Sequence, residues 1–137
     1  MYTLSMGGWI FYLATNDIKE LETDNCGKWM YFFNDVDFAS SICKKAIEAG
    51  VVKQCKHSDN SEGVCCFYLS GDDINAHKRV IQFFLDNDLI RRTKTGKLYN
   101  ISFKYDDQTD AGEYGAGFTA EIKLDQFLDL NTGEWKV

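Results

Sequence analysis

Lys28–Asn34, which reads KWMYFFN, is the stretch of sequence that decides the fold of this chain. Aromatic residues are enriched in strands, and successive strand side chains point to opposite faces of a sheet. Trp29, Tyr31 and Phe33 therefore predict one buried strand face. Similar patterns predict further strands before and after it, at Trp9–Thr15, Val51–Ser58, Val64–Ser70, Leu98–Asp106 and Phe118–Leu124.

Two segments between these strands have the three-to-four spacing of amphipathic helices, each with an aspartate able to cap its start. Short connections between the elements favour antiparallel strand pairing. The sequence therefore predicts one α+β domain over residues 1–137, a curved, mainly antiparallel sheet of about six to seven strands with two helices packed on one face. The predicted caps and ends are Asp35 or Asp37 with Ala49, and Asp72 or Asp73 with Asp86.

Composition narrows the class of protein. No apolar run approaches the ~18 residues that a spanning helix needs, and the first residues lack a basic signal region. We therefore expect a soluble cytoplasmic protein with no membrane partner. The five cysteines are odd in number and show no CxxC spacing, which favours free thiols in a reducing compartment over a zinc site. Nothing in the sequence indicates a metal or a cofactor.

The net charge of −6 is unevenly distributed along the chain. Residues 1–77 carry a net charge of −5, residues 78–104 carry +5 and residues 105–137 carry −6. The acidic majority would repel duplex DNA, whereas the basic block, residues 78–104, is suited to a small phosphorylated ligand. Its cations are Lys78, Arg79, Arg91, Arg92, Lys94, Lys97 and Lys104.

Several short motifs occur in a recognisable order. They are Gly27-Lys28-Trp29-Met30, Lys53–His57, Val64–Leu69, Asp72-Asp73 with Arg79-Val80-Ile81, Phe103–Asp106, Gln108-Thr109 and Gly112-Glu113-Tyr114. Over about residues 27–114 the chain resembles the basophilic-leukemia-expressed protein family, whose members are also named as phosphothreonine-lyase-domain proteins. That resemblance implies the fold of the mRNA-cap-binding initiation factor, with helices on the convex side of a curved sheet. The positions that match the polar motifs of the family are Lys28, Trp29, Lys104, Asp106, Thr109 and Tyr114.

The fold implied by the resemblance has a concave sheet face able to hold a nucleotide or a phosphopeptide. The sequence has no pair of tryptophans placed to sandwich a base, so cap binding itself is not implied. Trp29 can be a stacking platform or a core residue, and His57 an acid–base group or a strand-end residue, while His77 on its apolar helix stripe is expected to be structural. The candidate ligand-binding residues are Lys28, Trp29, Lys56, His57, Arg91, Arg92, Lys104, Thr109 and Tyr114.

The function that these residues favour is a non-enzymatic binding module for a small phosphorylated ligand such as a nucleotide. One alternative is an anti-CRISPR-like inhibitor of host defence encoded by a phage or mobile element. It would either contact a host protein through its acidic region Asp106–Glu134 or bind a nucleotide signal as a sponge. Another is a phospho-lyase-like enzyme that would use Lys56, His57 and Lys104. No motif fixes catalytic residues. Whether the first strand pairs within the chain or across a homodimer stays open.

Overall fold

The computed structural model of the protein describes residues 1–21, 25–106 and 121–137. Their strands form one seven-stranded sheet in the order β1-β2-β4-β5-β3-β6-β7, and every neighbouring pair is antiparallel. The strands are β1 Tyr2–Met6, β2 Trp9–Leu13, β3 Cys26–Phe33, β4 Gln54–Ser58, β5 Gly63–Ser70, β6 Ser102–Tyr105 and β7 Ile122–Lys123. The helices are α1 Ile18–Leu21, α2 Val36–Glu48 and α3 Ile74–Asp86, with a 3₁₀ turn at Leu124–Gln126. The predicted α+β class and antiparallel sheet are confirmed.

Both predicted helices begin at an aspartate cap. The Asp35 carboxylate accepts hydrogen bonds from the backbone N–H groups of Asp37 and Phe38, and the Asp73 carboxylate accepts one from Ala76. These bonds satisfy N–H groups that the first helical turn leaves without partners. The caps select Asp35 over Asp37 and Asp73 over Asp72.

The side of the sheet that faces α2 and α3 carries the core. Trp29 of β3 lies directly opposite Phe67 of β5 on one side and Phe103 of β6 on the other, and all three are fully buried. The two helices cover this face with their apolar stripes. The buried helix residues are Ala39, Ile42, Cys43, Ala46 and Ile47 of α2, and Ala76, His77, Val80, Ile81, Phe83 and Phe84 of α3.

A buried polar chain connects the sheet to α3. Trp29 Nε1 donates to His77 Nδ1 at 3.0 Å, and His77 Nε2 donates to the Gly71 carbonyl at 2.9 Å. One ring nitrogen accepts and the other donates, so the imidazole is neutral in this arrangement. Burial lowers the pKa of His77 below its usual 6.5. The expected structural role of His77 agrees with these contacts.

The N-terminal region differs from the prediction of a single strand at Trp9–Thr15. Residues 2–13 form a hairpin instead, in which β1 and β2 are joined by Gly7 and Gly8. Both glycines have positive φ, 61° and 81°, which is the signature of a type I′ turn. Tyr2–Met6 alternates apolar and polar residues as the predicted strands do, but all five of its residues are exposed.

Other strand bounds are shorter than predicted. β4 begins at Gln54 rather than Val51, and β6 begins at Ser102 rather than Leu98. Leu98 is buried, but its N–H donates to the Leu130 carbonyl rather than to the β3 ladder. Of the predicted strand Phe118–Leu124, only Ile122–Lys123 is a strand among the described residues, and positions before 121 lie outside them.

His77 makes the stability of the fold pH-dependent. Its folded pKa lies below its unfolded pKa, so the stabilisation is complete above about pH 6.5 and declines as the pH falls below that value. We expect the free energy of unfolding to fall by up to ~1.4 kcal/mol per pH unit in this range from His77 alone. The measurement is urea unfolding between pH 7 and pH 5.

The matched variant is His77→Gln, whose amide can accept from Trp29 and donate to Gly71. It should be less stable than the wild type at pH 7 but should lose less stability on acidification. An unchanged pH dependence in the variant would assign the effect to other groups.

Candidate functional site

The far face of the sheet, defined as the face opposite α2 and α3, brings together three lysines from three strands. Lys28 of β3 is the direct cross-strand neighbour of Lys104 in β6 and of Tyr68 in β5. Lys56 of β4 lies opposite Cys66 of β5, one step further along the same face. The sheet order thus assembles predicted site residues that are up to 76 positions apart in the chain.

A carboxylate accompanies the lysines. Lys28 Nζ lies 3.1 Å from Asp106 Oδ1, with side-chain exposures of 12% and 40%. Lys104 is 8% exposed, so the side chains of the neighbouring lysines Lys28 and Lys104 are both largely buried. Like charges directly opposite each other in a sheet are destabilising, and a nearby anion offsets that cost. Asp106 fills this role for Lys28.

Aromatic rings surround the third lysine. Lys56 Nζ lies 4.0 Å from the ring centroid of Trp9, 5.4 Å from that of Phe11 and 5.7 Å from that of Tyr68. Lys28 Nζ also lies 5.7 Å from the Tyr68 ring, so this ring stands between the two lysines. Each distance is within the range of a cation–π interaction.

These surroundings alter the titration of the site. Burial lowers the pKa of Lys56, and the charge of Lys28 lowers it further. Burial raises the pKa of Tyr68 and raises that of the Cys66 thiol to about 11. Tyr68 and Cys66 therefore stay protonated at neutral pH, and the face presents ammonium and hydroxyl donors. An anion placed beside Lys56 would raise its pKa again.

Trp29 and His57 do not belong to this face, which corrects their place in the predicted site. Trp29 is fully buried and its indole N–H is used by His77. His57 is 2% exposed; its Nδ1 donates to the Ser58 carbonyl at 2.9 Å, and Nε2 accepts from the Tyr12 hydroxyl at 3.0 Å. Both side chains point to the helices because their strands alternate, so neither can contact a ligand bound on the far face.

Arg91 and Arg92 are exposed in the segment that follows α3. Arg91 Nη2 donates to the Phe32 carbonyl at 3.3 Å, and Arg92 Nη1 donates to the Gly96 carbonyl at 3.0 Å. Phe32 lies four residues beyond Lys28 in β3, roughly 13 Å along the strand. The two arginines therefore border a separate cleft of about 370 Å³ at the C-terminal end of β3.

Two further predicted residues, Thr109 and Tyr114, lie outside the described residues. Conversely, Trp9, Phe11 and Tyr68 surround Lys56 but were not predicted as site residues. Strand alternation places Trp9 and Phe11 on one face of β2, and this was the only sequence signal that could have grouped them as site residues. The pairing of β2 with β4 could not be read from the sequence, and that pairing is what brings them to Lys56.

The described part of the chain contains no group of three or more His, Cys, Asp or Glu side chains arranged to hold a metal ion. None of its helices is long and apolar enough to cross a membrane. Comparisons with protein families, curated proteins and solved structures find no match to this chain. The resemblance noted from the motifs therefore stays an interpretation.

The cysteines provide a test of these placements. None of the five is in a disulfide; Cys26 is half-buried, and Cys43, Cys55, Cys65 and Cys66 are buried with raised thiol pKa values. Because the thiolate is the reactive form, we expect Ellman's reagent at pH 8 to modify about one thiol per folded chain within minutes. All five should react in guanidinium. If folded Cys26→Ser still showed one thiol reacting within minutes, Cys26 would not be the accessible cysteine.

Proposed function

We propose that the protein is a binding module for a small phosphorylated ligand of nucleotide type, held on the far face of the sheet. The observation that carries the proposal is the convergence of Lys28, Lys56 and Lys104 on that face beside aromatic rings. Ammonium groups form strong charge-assisted hydrogen bonds to phosphate oxygens. This explains how a chain with net charge −6 could bind an anion.

The aromatic side chains support a ligand that carries a planar group as well as a phosphate. Trp9 and Phe11 are only partly buried, so part of each side chain is accessible on the face that holds Lys56. Stacking on an aromatic side chain contributes about 1–3 kcal/mol per base and tolerates any base. A nucleotide would combine this stacking with phosphate contacts to the lysines.

The lyase alternative receives less support from the geometry. It requires Lys56, His57 and Lys104 to act on one phosphate ester. The two lysines lie on the far face, whereas His57 lies on the helix-facing side and is hydrogen-bonded to Tyr12. The sheet itself separates the acid from the bases. The inhibitor alternative rests on Asp106–Glu134, much of which lies outside the described residues.

Lys56 tests the phosphate contact. We expect ATP, GTP or inorganic triphosphate to raise the melting temperature at low salt, and Lys56→Gln to weaken binding about 10- to 100-fold, the equivalent of a lost charge-assisted hydrogen bond. Lys44→Gln is the matched control because Lys44 is exposed on α2, across the sheet. Isothermal titration calorimetry measures both. No binding by any probe at low salt, or equal losses in the two variants, would refute the proposal.

Trp9 tests the planar group separately from the phosphate. Trp9→Leu should weaken ATP binding roughly five- to 100-fold while leaving inorganic triphosphate binding nearly unchanged, because only the nucleotide has a base to stack. Calorimetry with the two ligands gives the comparison. Equal losses for both would place Trp9 in support of Lys56 rather than in contact with a base.

A further inference from the structure

The first strand is an edge of unusual composition. β1 pairs with β2 alone, so one of its two backbone edges is not paired within the described sheet. Natural edge strands are usually short, charged, bulged or interrupted by proline, which prevents pairing with other chains. β1 has none of these features, and residues 1–16 contain no Asp, Glu, Lys or Arg. The opposite edge, β7, has two residues and ends in Lys123.

The side chains of this edge form an exposed apolar row. Tyr2, Leu4 and Met6 are 48%, 47% and 60% exposed. Their partners in β2 are Leu13, Phe11 and Trp9, so all three point to the far face of the sheet. An exposed apolar row on an unprotected edge is typical of an interaction surface.

The hairpin determines which backbone groups face outward. Met6 and Trp9 close a two-residue type I′ turn and therefore form a hydrogen-bonded pair. Hydrogen-bonded and non-hydrogen-bonded pairs alternate in an antiparallel ladder, so Leu4 also bonds toward β2. The N–H and C=O groups of Thr3 and Ser5 consequently point away from β2, toward the unpaired edge.

We infer that the occupant of this edge is a second copy of the chain, paired antiparallel through β1 about a two-fold axis at Leu4. Thr3 then lies opposite Ser5 of the partner subunit, and the outward groups of both residues form hydrogen-bonded pairs. Leu4 meets its own copy in a close non-hydrogen-bonded pair, and Tyr2 meets Met6 of the partner subunit. The apolar row is thus complementary to itself, as an isologous interface requires.

Charge also favours a second copy at this position. Two chains that each carry a net charge of −6 repel each other over most of their surfaces. Residues 1–16 have no charged side chain, so two copies can approach there without placing charged side chains of like sign together. One strand pair is a small interface, so we expect a reversible dimer with a dissociation constant in the micromolar range.

Sedimentation equilibrium from about 5 to 500 μM tests the inference, with the affinity tag placed at the C terminus. The wild type should approach twice the 15.7 kDa of one chain. Leu4→Lys puts like charges opposite each other on the axis and should raise the dissociation constant tenfold or more. Ile74→Lys, at a site 54% exposed on α3, should leave it unchanged. A monomer throughout the range, or a dimer unaffected by Leu4→Lys, would overturn the inference.

A cross-link fixes the register and guards against a variant that fails to fold. Cα atoms in a non-hydrogen-bonded pair are about 4.5 Å apart, within the range of a disulfide. Leu4→Cys should therefore form a covalent dimer with copper phenanthroline, whereas Thr3→Cys, which faces Ser5 of the partner subunit, should not. The wild type, with its five native thiols, is the background control. Equal cross-linking of all three proteins would overturn the proposed register.

Discussion

A buried hydrogen bond from Trp29 Nε1 to His77 Nδ1 joins β3, an interior strand of the sheet, to helix α3 and holds the Trp29 side of that strand against the helix. Trp29 also packs between Phe67 and Phe103 on the neighbouring strands. Slipping β3 by one residue would expose this indole and bury Lys28 among apolar side chains. The same contacts that build the core therefore hold Lys28 on the far face.

Most buried side chains of the described fold are apolar, whereas the far face also buries lysine side chains. Lys28 and Lys104 stand directly opposite each other and are largely withdrawn from water, where apolar residues would pack at lower cost. Lys56 is held among aromatic rings, and burial lowers its pKa. Asp106 offsets part of this cost for Lys28. The proposal of a phosphorylated ligand rests on the convergence of these three lysines on one face.

The proposed ligand site and the proposed dimer use the same face of one sheet. Leu4 of β1 lies opposite Phe11, and Phe11 lies opposite Lys56, so one cross-strand row runs from the edge to the lysines. Pairing through β1 would make the far faces of two copies continuous. Phosphate binding would remain with the lysines of each copy, because β1 has no lysine or arginine side chain.

Patterns that are local in the sequence determined the bounds of the two main helices and the alternation of side chains within each strand. The aspartate caps and helical spacing set both main helices to within a residue or two, because those signals act within one turn. Alternation within single strands also accounts for the placement of Lys104 and Phe103 on opposite faces of the sheet. Only the tertiary structure decided which strands are neighbours. That order assembled Lys28, Lys56 and Lys104, removed Trp29 and His57 to the core and brought Trp9 to the site, because pairing between distant strands depends on the packing of the whole chain.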